Sequence, residues 1–298
     1  MVDGASGGNI LVAQAYVADV TPPEHRARGM GYIGMAFGLG FVLGPLIGGL
    51  LLSLPLAMEW RLRLPFLLAA GFSTIAWVLV LTRLPESLPQ GNPAREAARV
   101  VSWRGILDTV RLPGVGPLVL VGFLAVLAFA SFEGTFALYL QRRLGWEARS
   151  AAFAFAGLGL LSALVQGGLI RRLVPHFGEA RLILAGLVLV AGGFAGLARV
   201  AGAPALAGSL VLLGLGQGLL SPSLSGLLSR ITPPSEQGAV FGTLSSVQTL
   251  ARMISYSAAN LLLGRVSTAA PYCAAVGFDL LALTVAGHIA VRIGRDRL

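Results

Sequence analysis

Nine apolar runs divide the chain, separated by short stretches rich in arginine, proline and glycine. They fall at about 2–20, 29–53, 64–83, 114–141, 150–171, 180–199, 204–229, 238–263 and 270–291, each near the roughly 20 residues that carry an α-helix across a hydrocarbon core. The pattern predicts an all-α integral membrane protein that crosses the bilayer many times. The lipid bilayer is thus the first expected partner.

Composition agrees. Hydrophobic residues make up 55% of the 298 positions and charged residues 12%. A soluble domain carries about 25% charged residues, roughly twice that share. The 40 glycines suit close packing of helices in lipid.

All 22 basic residues are arginine, and the net charge is +9. They sit between apolar runs instead of in one patch, which argues against nucleic acid and for the positive-inside bias of membrane loops. Fourteen fall on one side and seven on the other, with Arg252 inside a run. The richer side is read as cytoplasmic, placing the C-terminus inside and the protein in the cell (inner) membrane. The first run has no basic flank and no cleavage site, so it is not a signal peptide. Cys273 is the single cysteine, which excludes a disulfide within the chain and a cysteine metal cluster. No zinc-protease motif and no phosphate loop is present, so no cofactor and no metal is expected.

One stretch is more specific. GYIGMAFGLGFVLGPLIGG, from Gly31 to Gly49, is apolar throughout, and Ala36, Gly40, Gly44 and Gly48 recur every fourth residue. Such a stripe lets a neighbouring helix approach closely. Pro45 removes one backbone donor and should bend the helix. The spacing Gly31, Gly40, Gly44-Pro45, Gly48-Gly49 matches every fixed position of the antiporter signature of the major facilitator superfamily. In that family the signature lies in the fifth membrane helix of exporters.

An internal repeat supports the resemblance. Thr21-Pro22-Pro23 returns as Thr232-Pro233-Pro234, 211 positions later, and Gly31 returns as Gly242. Parallel repeats relate the two six-helix halves of major facilitator transporters. The resemblance therefore implies a major facilitator fold with nine of the usual twelve helices, the fourth to the twelfth. On that reading about 100 upstream residues holding three further helices are missing. Residues 1–83 become a three-helix remnant of the N-terminal half, 84–113 a cytoplasmic linker and 114–298 the C-terminal six-helix half. In the linker, Trp103, Ile106, Leu107 and Val110 share one face while Arg104, Asp108 and Arg111 share another, which predicts a short amphipathic helix.

Polar residues at membrane depth are the transport and coupling candidates: Asp3, Gln14, Glu133, Arg252 and Asp279. Asp3-Gly4 resembles the end of a motif in the fourth helix of drug exporters. Asp19 and Arg26, in DVTPPEHRARG, resemble the cytoplasmic loop network of tetracycline efflux proteins. GGLIRRLVPHFGEAR resembles a degenerate second copy of the family's cytoplasmic loop, with Gly168, Arg172, Gly178 and Arg181 in place. An intramembrane carboxylate or guanidinium is a functional-site hypothesis by default. For Glu133 the structural alternative is a carboxylate near the outer end that snorkels to water or pairs with Arg142; for Asp279 it is serving as the ion-pair partner of Arg252.

Gly4-Ala5-Ser6-Gly7 matches the serine motif of rhomboid proteases, but the glycines wanted after His288 are Val291 and Arg295, so no enzyme is expected. The resemblance implies a monomeric secondary transporter. It would export a drug-like or small organic substrate against protons by alternating access. The competing reading is an N-terminally truncated, non-transporting membrane remnant.

Overall fold

The computed structural model describes residues 26–85, 103–233 and 236–295, together with Ala13, Tyr16, Val17, Val20 and Thr21. The described residues form helices and the turns between them, with no strand. The chain divides into two compact units, Met1–Val101 and Ser102–Leu298.

In the first unit, α1 (Arg26–Leu52) runs unbroken through Pro45 and is followed by α2 (Met58–Arg83). Glu59 in the first turn of α2 and Arg83 in its last both suit the helix dipole. No residue of α2 is buried, and Trp60, Phe66, Phe72 and Trp77 are all exposed. A helix that is apolar all round belongs in lipid or in a larger core.

The second unit opens with α3 (Trp103–Val110), the amphipathic helix expected from the linker pattern. It packs on α4 and α9. Thr109 is buried while Leu107 is exposed, so the apolar face is only partly turned to the bundle. The long helices follow: α4 (Val115–Leu144), α5 (Ala148–Leu164), α6 (Ile170–Phe177), α7 (Glu179–Ala198), α8 (Ala203–Ile231), α9 (Gln237–Arg265) and α10 (Ala270–Arg295). A π turn, Val165–Leu169, joins α5 to α6 into one apolar segment, Ala148–Phe177.

Among the described residues, six helices are long and apolar enough to cross a membrane. They are Met58–Arg83, Val115–Leu144, Ala148–Phe177, Glu179–Ala198, Ala203–Ile231 and Ala270–Ala290. Helix α9 is not one of them, although it is 29 residues long. Its apolar run is interrupted by Gln248, Arg252, Tyr256 and Asn260. The expected first span, 2–20, lies almost wholly outside the described residues.

Helix α4 is the centre of this unit. It packs on α9 along one side and α10 along another. Its aromatic side reaches α5 and α7: the Phe132 ring lies 5.0 Å from Phe155 and 6.3 Å from Phe194, centroid to centroid. The C-terminus of α4 is closed by Gly145, at φ +68°, whose N–H bonds the carbonyls of Gln141 and Leu140. A left-handed residue at this position is what glycine permits cheaply. Helices α7 and α8 meet backbone to backbone. A Cβ added at Gly216 would stand 2.8 Å from the Gly186 carbonyl oxygen and 2.8 Å from the Val190 nitrogen. Small residues make that approach possible, and it is the common packing device of helices in lipid.

Candidate functional site

Helices α4 and α9 run parallel, and their polar contacts climb together along the chain. Ser131 meets Ser255, Glu133 meets Arg252 and Tyr256, and Asn260 reaches Gly134. Arg252, Tyr256 and Asn260 follow one another at four-residue spacing, so they line one face of α9. On α4 that face meets Glu133 and Gly134.

The centre of the site is an ion pair. Arg252 Nη1 donates to Glu133 Oε2 at 2.5 Å, and the Tyr256 hydroxyl donates to the same oxygen at 3.1 Å. The Glu133 side chain is 16% exposed and that of Arg252 38%. The pair is therefore sheltered but open on one side. A carboxylate at membrane depth is costly unless a cation and further donors meet it, and here both do. Gly134 makes the room: a Cβ at that position would lie 2.8 Å from Tyr256 Cδ1. Below the pair the helices are pinned by Ser255 Oγ, which donates to the Leu127 carbonyl at 2.7 Å and lies 2.9 Å from Ser131 Oγ.

These contacts correct two structural alternatives. Arg142 does not take Glu133; its Nη1 donates to the Leu263 carbonyl at 3.1 Å. Asp279 does not take Arg252. It sits on α10 in a buried stripe with Tyr272, Ala275, Ala282 and Ala286, at helical spacing. Neither carboxylate oxygen has a hydrogen-bond partner among the described residues. Helix α10 packs mainly on α4 and α7 and more lightly on α9; Arg252 is taken by Glu133, and Asp279 does not meet it.

Asp3, Gln14 and Asp19 lie outside the described residues, as does the side chain of Arg26. Gly31, Gly40, Gly44, Pro45, Gly48 and Gly49 all fall within α1. Among the described residues, nothing lies within 4 Å of a Cβ added at Gly40, Gly44 or Gly48. The close approach expected of that stripe has no partner there.

Two features escaped the sequence reading. Tyr256 was legible, being one helical turn beyond Arg252 and so on its face. The second is an ion pair at the end of the bundle: the single Arg230 Nη1 donates to both oxygens of Glu179, at 2.9 and 2.8 Å. Glu179 follows Gly178, at φ +74°, as the first residue of α7, and Arg230 lies in the last turn of α8. Each charge suits the dipole of its own helix, which was the available signal.

The family model of the Major Facilitator Superfamily matches residues 1–256 and 169–293. The human "Major facilitator superfamily domain-containing protein 10" is 31% identical over 272 residues, 85% of this chain and 57% of that protein. "Tetracycline resistance protein, class B" of Escherichia coli is 28% identical over 83% of this chain and 60% of its own length. "Multidrug resistance protein 1" of Bacillus subtilis is 30% identical over 81% and 60%. The crystal structure of the human organic anion transporter MFSD10 (TETRAN) superposes with a TM-score of 0.69 at 28% identity, covering 95% of this chain and 68% of that one. The chain thus spans between 57% and 60% of the length of these three curated relatives.

Proposed function

Since the chain belongs to the major facilitator superfamily, we propose that it serves a secondary transporter that exports small organic compounds by alternating access, in exchange for protons. The Glu133–Arg252–Tyr256 cluster carries this reading. It is a charged, hydrogen-bonded centre at membrane depth, half open to one side, built on two helices of the C-terminal unit. A substrate bearing polar groups on an apolar body would find donors and an acceptor there and helix surface around them.

Export is supported by the antiporter spacing from Gly31 to Gly49 and by relatives named for tetracycline and multidrug resistance. The structural relative named as an organic anion transporter adds organic anions to the proposed substrate class. In this reading residues 1–83 belong to one half of the transporter and 114–298 form the other, with 84–113 between them. Substrate binds near the midplane of the membrane. Asp3 and Gln14 are the first half's candidates, and Asp19 and Arg26 belong to its cytoplasmic loop. The chain acts as a monomer in the cell membrane with its C-terminus in the cytoplasm, and it performs no covalent chemistry.

The test is ethidium accumulation in everted membrane vesicles from cells expressing the chain. Accumulation that a protonophore abolishes, and that Arg252→Ala loses, supports the proposal. Accumulation equal to that of vesicles lacking the chain would sink it.

A further inference from the structure

Charges at membrane depth in the second unit do not balance. There are none on α5 after Arg149, none on α7 between Arg181 and Arg199, and none on α8 before Arg230, while Arg171 and Arg172 of α6 are exposed near the end of their span. Helix α4 contributes Glu133, α9 contributes Arg252, and α10 contributes Asp279. Glu133 and Arg252 neutralise each other. Asp279 is left over.

Among the described residues, no donor meets its carboxyl group. Asp279 is 0% exposed, and it is the tenth residue of the apolar span Ala270–Ala290, hence near the middle of the hydrocarbon core. Both oxygens lack a hydrogen-bond partner among the described residues. The flanking members of its stripe on the same helix, Ala275 and Ala282, are apolar and buried.

The titratable groups of the helices packed on α10 are engaged or distant. On α4, Glu133 is taken by Arg252, Tyr139 donates to the Leu197 carbonyl, and Arg142 and Arg143 bond backbone carbonyls at the helix end. On α9, Arg252 and Tyr256 both serve Glu133, and Arg265 stands at the C-terminus. On α7, Glu179 and Arg181 lie at one end and Arg199 beyond the other. On α10 itself, Tyr272 accepts from Thr135, Cys273 and His288 are exposed, and Arg292 and Arg295 lie beyond the apolar span.

Among the described residues, an ionised carboxylate placed there would have no counter-charge and no donor; the neutral acid has far less to lose. Among the described residues of the second unit, the charge balance at membrane depth also closes when Asp279 holds one proton. We propose that Asp279 carries the proton of the exchange, at a site separate from the substrate-facing Glu133–Arg252 pair. The proton leaves only when α10 parts from α4 and α7 and water reaches the carboxyl. Arg252 and Tyr256 both donate to Glu133 Oε2, whereas no donor among the described residues meets Asp279. A group that is protonated in one packing of the helices and ionised in another biases the equilibrium between them, and that differential affinity is what coupling requires. The assignment of the proton to Asp279 stands on geometry, while its transport role rests on the exchange reading above.

Infrared spectroscopy of the chain in lipid bilayers tests the assignment directly. At neutral pH the wild type and Glu133→Gln should show the carbonyl stretch of a protonated carboxyl group, and Asp279→Asn should lose it. Asp279→Glu, which keeps a carboxyl, should shift the band without removing it, a control against loss through misfolding. A wild type without the band, or a band that survives Asp279→Asn, overturns the proposal. The transport role is read with a pH indicator in weakly buffered proteoliposomes as ethidium is added. Wild type and Gly264→Ala, a change outside the site, should release protons and Asp279→Asn should not. Undiminished release from Asp279→Asn overturns the carrier role. If the wild type shows the band yet releases no protons, the proton site stands and the exchange reading falls.

Discussion

Arg252 on α9 and Glu133 on α4, 119 positions apart in the chain, meet at 2.5 Å and cancel each other's charge at membrane depth. The pair ties the two parallel helices that make the polar seam of the C-terminal unit, and the Tyr256 hydroxyl completes it at 3.1 Å.

Removing one partner should therefore cost more than removing both. Arg252→Gln leaves a sheltered carboxylate without its cation, and a destabilisation of about 2 kcal/mol is expected, reduced from the fully buried case by the exposure of Arg252. The double variant Glu133→Gln, Arg252→Gln should recover a large part of it. Thermal unfolding in detergent, arranged as a double-mutant cycle, measures the coupling. Additive losses would mean that the pair contributes nothing.

Gly134 should tolerate no side chain while Tyr256 keeps its ring. Gly134→Ala places a Cβ 2.8 Å from Tyr256 Cδ1, so the ring must turn and its hydroxyl must leave Glu133. A loss of about 1–2 kcal/mol is expected from overpacking and the broken bond. Tyr256→Ala in the same chain should make Gly134→Ala nearly neutral. Melting temperatures of the two backgrounds decide it.

The α7–α8 seam should be the most sensitive to bulk. At Gly216 an added Cβ meets backbone atoms of Gly186 and Val190 at 2.8 Å, and backbone cannot swing aside. Gly216→Leu should destabilise by about 3 kcal/mol or prevent folding. Gly264→Ala, where nothing lies within 4 Å, should leave the melting temperature unchanged. Equal effects at the two positions would show that the helices are not seated as described.

In the Glu179–Arg230 pair one nitrogen serves both carboxylate oxygens, but the Arg230 side chain is 57% exposed. Its contribution should be small and screened by salt. Arg230→Gln should lower the melting temperature by less than Arg252→Gln does, and the deficit should shrink at high ionic strength. A deficit that ignores salt would point to the packing of the arginine stem instead.

The helices themselves were written in the sequence. Runs of about 20 apolar residues with no internal charge can only be satisfied as helices in lipid. Hence α8, expected at about 204–229, is found at Ala203–Ile231. The three membrane-depth charges were equally plain, because Glu133, Arg252 and Asp279 each interrupt an apolar run. The family followed from the glycine spacing between Gly31 and Gly49, since backbone approach leaves a pattern that composition alone does not.

What the sequence left open was how those charges pair. By charge alone, Arg252 suits Glu133 and Asp279 equally, and Glu133 suits Arg142 equally. The register of α4 against α9 decided it by setting Glu133 beside the Arg252–Tyr256 face. The rotation of α10 decided the rest, turning Asp279 into the same buried stripe as Ala275 and Ala282. The π turn at Val165–Leu169 was also hidden. Register, rotation and a single widened turn are set by side chains packing across helices far apart in the chain. No window along one helix holds both sides of that contact.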